Sequence, residues 1–171
     1  MIGTPDTRLV ILRGNSGSGK TSVARALQNR RERGQLAVVS QDMVRRDVLW
    51  AHDIVGNPAI ALIDLMARYA LDAGFSVVIE GILHADRYAE MLTQLVCQHR
   101  GATHAYFWDL PFEETVRRHA TKVKALEFGE PEMREWWYGT AFISELNEAR
   151  IGLEATLDAT VRRIEADCLW V

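Results

Sequence analysis

Short apolar runs alternate with amphipathic stretches along the chain, and this alternation predicts strands that are separated by helices. The apolar runs contain few polar residues, which is typical of parallel strands that are covered on both faces. We predict five such strands, at about Arg8–Leu12, Leu36–Ser40, Phe75–Glu80, Thr103–Asp109 and Cys168–Val171. Strands and helices in this order predict an α/β fold with a parallel, doubly wound sheet that carries helices on both faces.

Residues typical of helix ends bound the amphipathic stretches. The first helix is predicted over about residues 20–33 and stops at Gly34, and the helix opened by Asn57 and Pro58 stops at Gly74. Further helices are predicted over residues 42–50 and 86–100, after Pro111, and on the face formed by Leu153, Leu157, Val161 and Ile164. The stretch 122–138 has few aliphatic residues and looks like an insertion over the sheet edge.

The bulk composition is that of one globular domain. The chain has 171 residues, of which 48% are hydrophobic and 25% charged, and these values are ordinary for a protein with a packed core. Its net charge of −3 gives no general affinity for nucleic acid or anionic membranes. The sequence has neither a signal pattern nor an apolar run long enough to span a bilayer. We therefore expect a single cytoplasmic domain over residues 1–171, with neither nucleic acid nor membrane as a partner.

Residues 14–21 match the phosphate-binding pattern G-x-x-x-x-G-K-[ST] completely, between a predicted strand and a predicted helix. Glycines allow backbone conformations in which successive N–H groups turn around a phosphate, and the helix N-terminus adds its dipole. Lys20 is expected to reach the β- and γ-phosphates of a nucleotide, and the Thr21 hydroxyl is expected to bind Mg²⁺. The predicted nucleotide-binding residues here are Gly14, Asn15, Ser16, Gly17, Ser18, Gly19, Lys20, Thr21 and Ser22.

Ligands of open α/β sheets bind beyond the carboxyl ends of the strands, so the residues after each strand are candidates for chemistry. After the second strand, Asp42 is placed to accept a proton from a hydroxyl, and Arg45 shares its helix face and is expected to hold the acceptor or a phosphate. The alternative is that Asp42 only caps a helix while Arg45 and Arg46 are solvated. Glu80 ends the third strand, and its role is either at an Mg²⁺ ion or in the acceptor pocket.

A set of cations follows the fourth strand, on the helix after Pro111. We predict that Arg117 and Arg118 contact the nucleotide and that Arg118 neutralises the charge of a transferring phosphoryl group; the alternative is a solvated basic face. Residues 117–138 are predicted to form a lid over the site. Of the adjacent aromatic residues in that lid, Trp137 is predicted to line the acceptor pocket.

With these residues identified, the chain resembles the small P-loop kinases of the nucleoside-monophosphate-kinase fold. Within them it is similar to the group of chloramphenicol phosphotransferase, zeta-toxin-like kinases, gluconate and shikimate kinases, and phage polynucleotide kinase. The resemblance implies the strand order 2-3-1-4-5 and a catalytic base at Asp42, whose Asp-x-x-Arg spacing to Arg45 is similar to polynucleotide kinase. These kinases commonly carry Arg-x-x-x-Arg in the lid, and Arg118-x-x-x-Lys122 departs from that pattern.

The sequence therefore predicts a kinase that uses ATP and Mg²⁺ to phosphorylate a hydroxyl of a small molecule, such as a metabolite, a nucleoside or an antibiotic. Lys20, Asp42 and Arg118 are its predicted catalytic residues. Three alternatives stay open: a 5′-hydroxyl polynucleotide kinase, a nucleotide-binding module without catalysis, and a nucleoside-monophosphate kinase. The acidic net charge argues against the first, and the acceptor base and basic lid argue against the second. The sequence selects neither the acceptor nor an oligomeric state.

Overall fold

The computed structural model describes residues 1–121 and 128–170, and it contains a five-stranded sheet in which every paired strand is parallel. The strand order is β2-β3-β1-β4-β5, which confirms the predicted 2-3-1-4-5 order. The strands are β1 (Arg8–Gly14), β2 (Leu36–Ser40), β3 (Ser76–Gly81), β4 (Ala102–Trp108) and β5 (Ala149–Ile151). The central strand β1 therefore delivers the loop that follows it to the middle of the sheet edge.

Helices connect the strands in the predicted alternation. The α-helices are α1 (Lys20–Asn29), α2 (Ala59–Asp72), α3 (Ala85–Gln98), α4 (Phe112–His119), α5 (Glu130–Glu135) and α6 (Leu157–Asp167). A π-helix, Met43–Val48, follows β2, and a short 3-10 helix, Ser144–Leu146, precedes β5. Helix α1 ends at Asn29, earlier than its predicted end near residue 33. No helix in the described part of the chain is long and apolar enough to cross a membrane.

Apolar cores lie on both faces of the sheet, as a doubly wound fold requires. Alternate residues of β1 serve the two cores: Leu9 and Ile11 face one, and Val10 and Leu12 face the other. The first core is completed by buried residues of α2 and α3, including Ile63, Leu71, Tyr88, Leu92 and Leu95. The second is completed by buried residues of α1 and α6, including Val23, Leu27, Val161 and Ile164. The sheet is thus held rigidly from both sides behind its carboxyl edge.

The predicted fifth strand at the chain end is wrong. Cys168 caps the C-terminus of α6, and Leu169 adopts a left-handed conformation with φ of 54° and is 77% exposed. The fifth strand is instead Ala149–Ile151, which pairs with β4 alone at the sheet edge. It has only three residues and one of them is charged, so its apolar pattern is too short to be recognised as a strand.

A buried ion pair fastens the segment before β5 to the centre of the sheet. The Arg13 Nη1 atom lies 2.6 Å from Glu148 Oε1, and both side chains are almost fully buried. Arg13 also donates to the carbonyls of Leu83 and Ala141, and the second oxygen of Glu148 accepts from the Ile143 N–H. Removing one member of such a pair leaves an uncompensated buried charge, which costs about 3–5 kcal/mol. Residues 141–148 are therefore fixed relative to the loop that follows β1.

Candidate active site

A cleft of about 510 Å³ opens where β1, β2 and β3 end. Loop residues 16–21 line it after β1, Asp42 and Arg45 line it after β2, and Glu80 lines it at the end of β3. The carboxyl ends of parallel strands meet at one edge of the sheet, which is where open α/β sheets bind ligands. The fold thus brings the predicted phosphate loop, Asp42, Arg45 and Glu80 into one cavity.

The phosphate loop makes a close approach to the elements beside it at Gly17. This residue has φ of +79°, and a Cβ atom there would lie 2.5 Å from the Thr115 carbonyl oxygen and 3.0 Å from the Met133 methyl carbon. Side chains other than hydrogen are excluded by both the backbone conformation and the contact. The glycine therefore lets the loop pass directly against α4 and α5.

Lys20 is the first residue of α1, and its side chain folds back onto the phosphate loop. Its ammonium donates to the carbonyls of Gly14 at 2.7 Å and Asn15 at 2.9 Å, and to Ser18 Oγ at 2.9 Å. The side chain is buried, with 6% of the residue exposed. An anion bound by this loop would lie close to the ammonium group. A charge-assisted hydrogen bond between the two would then stabilise the bound anion.

The start of α1 offers further groups to an anion and a metal ion. Its N-cap, Gly19, has φ of 105° and supplies no side-chain cap, and the first turn carries no acidic residue, so backbone N–H groups are left for a ligand. Thr21 Oγ1 donates to Glu80 Oε2 at 3.0 Å, and Glu80 is 3% exposed. A hydroxyl beside a buried carboxylate is a donor set that Mg²⁺ accepts when phosphate oxygens complete its shell. The residues present therefore fit a nucleoside triphosphate with Mg²⁺.

Asp42 lies at the start of the π-helix, where two arginines converge on its carboxylate. Its Oδ1 atom is 3.6 Å from Arg45 Nη2 and 3.7 Å from Arg46 Nε, and its side chain is 45% exposed. No capping hydrogen bond from the Asp42 side chain to the π-helix is present among the described residues, so the interpretation of Asp42 as a cap alone gains no support. π-Helical turns are rare and often occur at functional sites.

Arg46 was not predicted at the site, and it contacts two aromatic residues of the segment that was predicted to form a lid. Its guanidinium carbon lies 5.6 Å from the ring centre of Trp136 and 5.9 Å from that of Phe128, within the range of cation–π attraction. All three residues line the cleft. The alternative of a solvated Arg45 and Arg46 does not fit their exposed fractions of 15% and 33%.

Trp137 does not line the cleft. Its ring packs edge-on against Phe112, with the ring centres 5.2 Å apart, while its neighbours Trp136 and Tyr138 line the cavity. Adjacent residues at a helix end point in different directions, so only some members of an aromatic run can face one side. The structure thus places Trp136 and Tyr138 where the sequence analysis had placed Trp137.

Asp53, His84, Arg87 and Tyr138 form a polar group that lines another part of the cleft, and of these Asp53 and Arg87 were not identified from the sequence. Arg87 Nη1 lies 3.2 Å from Asp53 Oδ2, and Arg87 Nη2 donates to the Tyr138 hydroxyl at 2.9 Å. Burial, together with the positive charge of Arg87, lowers the pKa of His84 to about 4, so the imidazole is neutral near pH 7. The only sequence signal for His84 and Arg87 is that they follow β3.

The predicted cations of α4 have different environments. Arg118 donates to the Ser18 carbonyl of the phosphate loop at 3.1 Å and to the Leu153 carbonyl at 3.2 Å, and it pairs with Glu114. Arg117 is 71% exposed and pairs with Glu114 alone among the described residues. Hydrogen bonds from Arg117 and Arg118 lower the pKa of Glu114 to about 2. Lys122 lies outside the described residues, so its predicted place in the lid is not tested.

A second, shallow groove of about 570 Å³ lies beside the phosphate loop. Arg117 and Arg118 of α4 form one wall, and residues 153–157 before α6 form the other. Because Arg118 bonds both Ser18 of the loop and Leu153 of the opposite wall, the groove adjoins the loop.

Comparisons with known proteins agree with this fold. The structure is similar to APS kinase from Mycobacterium tuberculosis, with a TM-score of 0.70 and 21% identity over 98% of this chain and 99% of that one. A gluconokinase from Sinorhizobium meliloti gives a TM-score of 0.63 and 17% identity over 98% of this chain and 93% of that one. A tunicamycin resistance protein from Deinococcus radiodurans gives 0.60 and 17%, over 94% and 95%.

The sequence itself has one informative match. No curated protein matches it significantly. Residues 9–136, however, match the family AAA_33, which is described as an AAA domain, and this match spans the phosphate loop, the π-helix, α4 and α5. The match covers more than half of the chain, and the sheet order is that of the P-loop kinases. The chain belongs to the AAA_33 family and has the fold of the P-loop kinases.

Proposed function

We propose that this protein is an ATP-dependent phosphotransferase that transfers the γ-phosphoryl group to a hydroxyl of a small molecule. The observation that carries the proposal is the single cleft in which a complete phosphate loop faces Asp42 and two arginines. A nucleotide-binding module needs only the loop. A carboxylate and two guanidinium groups beside the loop are what an acceptor hydroxyl and a charged transition state require.

The nucleotide half of the proposed site consists of residues 14–22 and the groove beside them. Bound ATP supplies the phosphoryl group, and Mg²⁺ neutralises charge on its phosphates. Lys20 moves its ammonium from the loop oxygens to the phosphates, and Thr21 and Glu80 hold the metal side of the site. Arg117 and Arg118 flank the groove that receives the nucleoside.

The acceptor half consists of Asp42, Arg45 and Arg46 with the aromatic rings of the lid. Asp42 takes the hydroxyl proton while the acceptor oxygen bonds to the γ-phosphorus and the bond to the leaving ADP breaks. Arg45 and Arg46 stabilise negative charge on the phosphoryl group or on the acceptor, and both already lie within 4 Å of Asp42. Trp136 and Tyr138 bound the space for the acceptor, in the position first predicted for Trp137.

Relatives of similar fold support a small acceptor. The APS kinase and the gluconokinase, whose printed names specify small acceptors, align over almost their whole length with this chain. The net charge of −3 likewise favours a small molecule over a nucleic acid strand. Residues 117–138 are the proposed lid, and Met133 in α5 is buried against Gly17 of the loop.

ATP consumption in the presence of candidate acceptors tests this proposal. The purified protein is incubated with Mg·ATP and separate sets of nucleosides, sugars and sugar acids, antibiotics, and short oligonucleotides. We expect one small-molecule set to accelerate ADP release, and we expect a phosphorylated product in its mass spectrum. Acceleration by oligonucleotides alone favours polynucleotide kinase activity, and ATP binding without any acceleration favours a module.

Replacing Arg118 by Ala is expected to lower kcat for ATP consumption about 10- to 100-fold, the equivalent of one charged hydrogen bond of about 1.5–3 kcal/mol. The KM for the acceptor should change less, because the guanidinium contact strengthens as charge develops on the phosphoryl group. Arg162→Ala is the matched control, since Arg162 also forms an i,i+4 ion pair with an acidic residue, Asp158, on the exposed face of α6. Equal kcat values in the two variants would assign Arg118 to the scaffold.

A further inference from the structure

The side chain of Asn15 in the phosphate loop is bonded to residues 138–139, at the end of the proposed lid, and not to other residues of the loop. Its Nδ2 group donates to the Gly139 carbonyl at 2.9 Å, and its Oδ1 atom accepts from the Tyr138 N–H at 3.1 Å. Asn15 is 5% exposed, so both bonds are shielded from water. A reciprocal pair of this kind fixes residues 138–139 in position and direction, because both the donor and the acceptor of the amide are used.

The side chain of Tyr138 continues this connection to the acceptor side. Its hydroxyl accepts from Arg87 Nη2 at 2.9 Å, and its ring centre lies 3.8 Å from that of His84. Arg87 in turn pairs with Asp53 and donates to the Asp53 carbonyl. Tyr138 is nevertheless 46% exposed, so these few contacts, rather than burial in the core, hold it in place.

The connection ends at the residue before the proposed base. Asp53 Oδ2 accepts from Gln41 Nε2 at 3.2 Å, and Gln41 Oε1 accepts from the Leu83 N–H at 2.9 Å. A Cβ atom on Gly81 would lie 2.6 Å from the Gln41 Cβ, so glycine is needed for Gln41 to reach these partners. Gln41 is 2% exposed and directly precedes Asp42.

We propose that Asn15 and Tyr138 are positioning residues that couple the nucleotide half of the site to the acceptor half. This inference rests on the proposed function, since it concerns how the two substrates of the transfer influence each other. Phosphates bound by the loop hold the backbone of Asn15, Asn15 holds Tyr138, and Tyr138 holds Arg87 and Asp53. The acceptor half is therefore ordered when the loop is occupied, and ATP favours acceptor binding by the same factor that the acceptor favours ATP.

The order of the contacts makes the coupling testable segment by segment. Hydrogen exchange is measured with and without Mg·AMPPNP, a non-hydrolysable ATP analogue, in the wild type, Asn15→Ala and Tyr138→Phe. In the wild type we expect Mg·AMPPNP to slow exchange in peptides covering residues 136–141 and 52–57, within the typical coupling range of about 5- to 150-fold. Asn15→Ala should lose the response in both peptides, although residues 52–57 do not touch Asn15 in the described contacts.

Tyr138→Phe separates the two steps, because it removes the hydroxyl while the backbone bonds to Asn15 remain. It should keep the response in residues 136–141 and lose it in residues 52–57. Thr140→Ala is the matched control: Thr140 also anchors this segment by one side-chain bond, but to Asp109 rather than to the loop. It should keep both responses, and exchange in every variant is compared at an Mg·AMPPNP concentration that saturates that variant.

The outcomes distinguish this inference from the proposed function. If the wild type binds Mg·AMPPNP and residues 52–57 respond equally in the wild type and Asn15→Ala, or in neither, the coupling is absent and the proposed function stands. If the wild type fails to bind Mg·AMPPNP, the proposed function is overturned and the coupling with it. Loss of the response in Thr140→Ala would also overturn the inference, because any weakening of the segment would then have the same effect.

Discussion

Replacing Lys20 by Ala is expected to lower turnover of ATP by about 10²- to 10³-fold or more, the effect of removing one preorganised electrostatic donor from a charged transition state. The ammonium donates to oxygen atoms of Gly14, Asn15 and Ser18, so it lies against the loop that is proposed to bind the phosphates of ATP. ATP affinity should fall as well, because a charged contact with an anion is lost. Steady-state kinetics and calorimetric titration with Mg·AMPPNP measure the two effects separately.

The control for Lys20→Ala must distinguish chemistry from stability. The variant leaves loop oxygens without their donor, and an unsatisfied buried polar group costs about 1–3 kcal/mol. Lys20→Met loses the same charge and hydrogen-bond donors but retains the apolar stem, so it should show the same loss of turnover with a smaller change in Tm. Arg25→Met removes a charge from the exposed face of the same helix and should leave both quantities unchanged. Normal turnover in a folded Lys20→Met protein would contradict the proposed role of Lys20.

The architecture could be predicted because its signals are local and repeated. The first four strands are apolar runs, and the phosphate loop occupies contiguous residues between a strand and a helix. The fifth strand failed because Ala149–Ile151 makes its single pairing with β4 and has no pattern of its own. The apolar residues of the chain end were misleading, since Cys168 is buried by packing of α6 and not by a sheet.

The site could be predicted only as far as sequence neighbours determine it. Asp42 and Arg45 are three residues apart, and their contact follows from helical spacing alone. The contacts of Arg87 with Asp53 and Tyr138 join three distant segments of the chain. They depend on how the segment around Tyr138 packs against α3. The choice between Trp136 and Trp137 depends on the rotation of the short helix α5, which no local pattern specifies.

Replacing Asp42 by Asn should lower turnover by roughly 10²- to 10⁴-fold while ATP affinity stays nearly unchanged. Asn keeps the shape of the side chain but cannot take the proton from the acceptor hydroxyl. The side chain is 45% exposed and lines the cleft, and ion pairs of exposed side chains contribute little to stability, so we expect Tm to change little. A loss of turnover with unchanged Tm and unchanged Mg·AMPPNP affinity would therefore be chemical in origin.

Asp47→Asn is the matched control for this prediction, because Asp47 lies on the same π-helix and its side chain is exposed. It makes the same change of charge on the same element, and turnover should remain within about twofold of the wild type, as for an ordinary surface substitution. If Asp42→Asn also retained turnover within a few-fold, proton transfer at Asp42 would not limit the reaction, and Asp42 would serve only to orient Arg45 and Arg46. If instead Asp42→Asn and Arg45→Met each lower turnover, their double variant separates the roles: additive losses indicate separate roles, whereas a double loss no larger than the larger single loss indicates that the carboxylate acts through the guanidinium group.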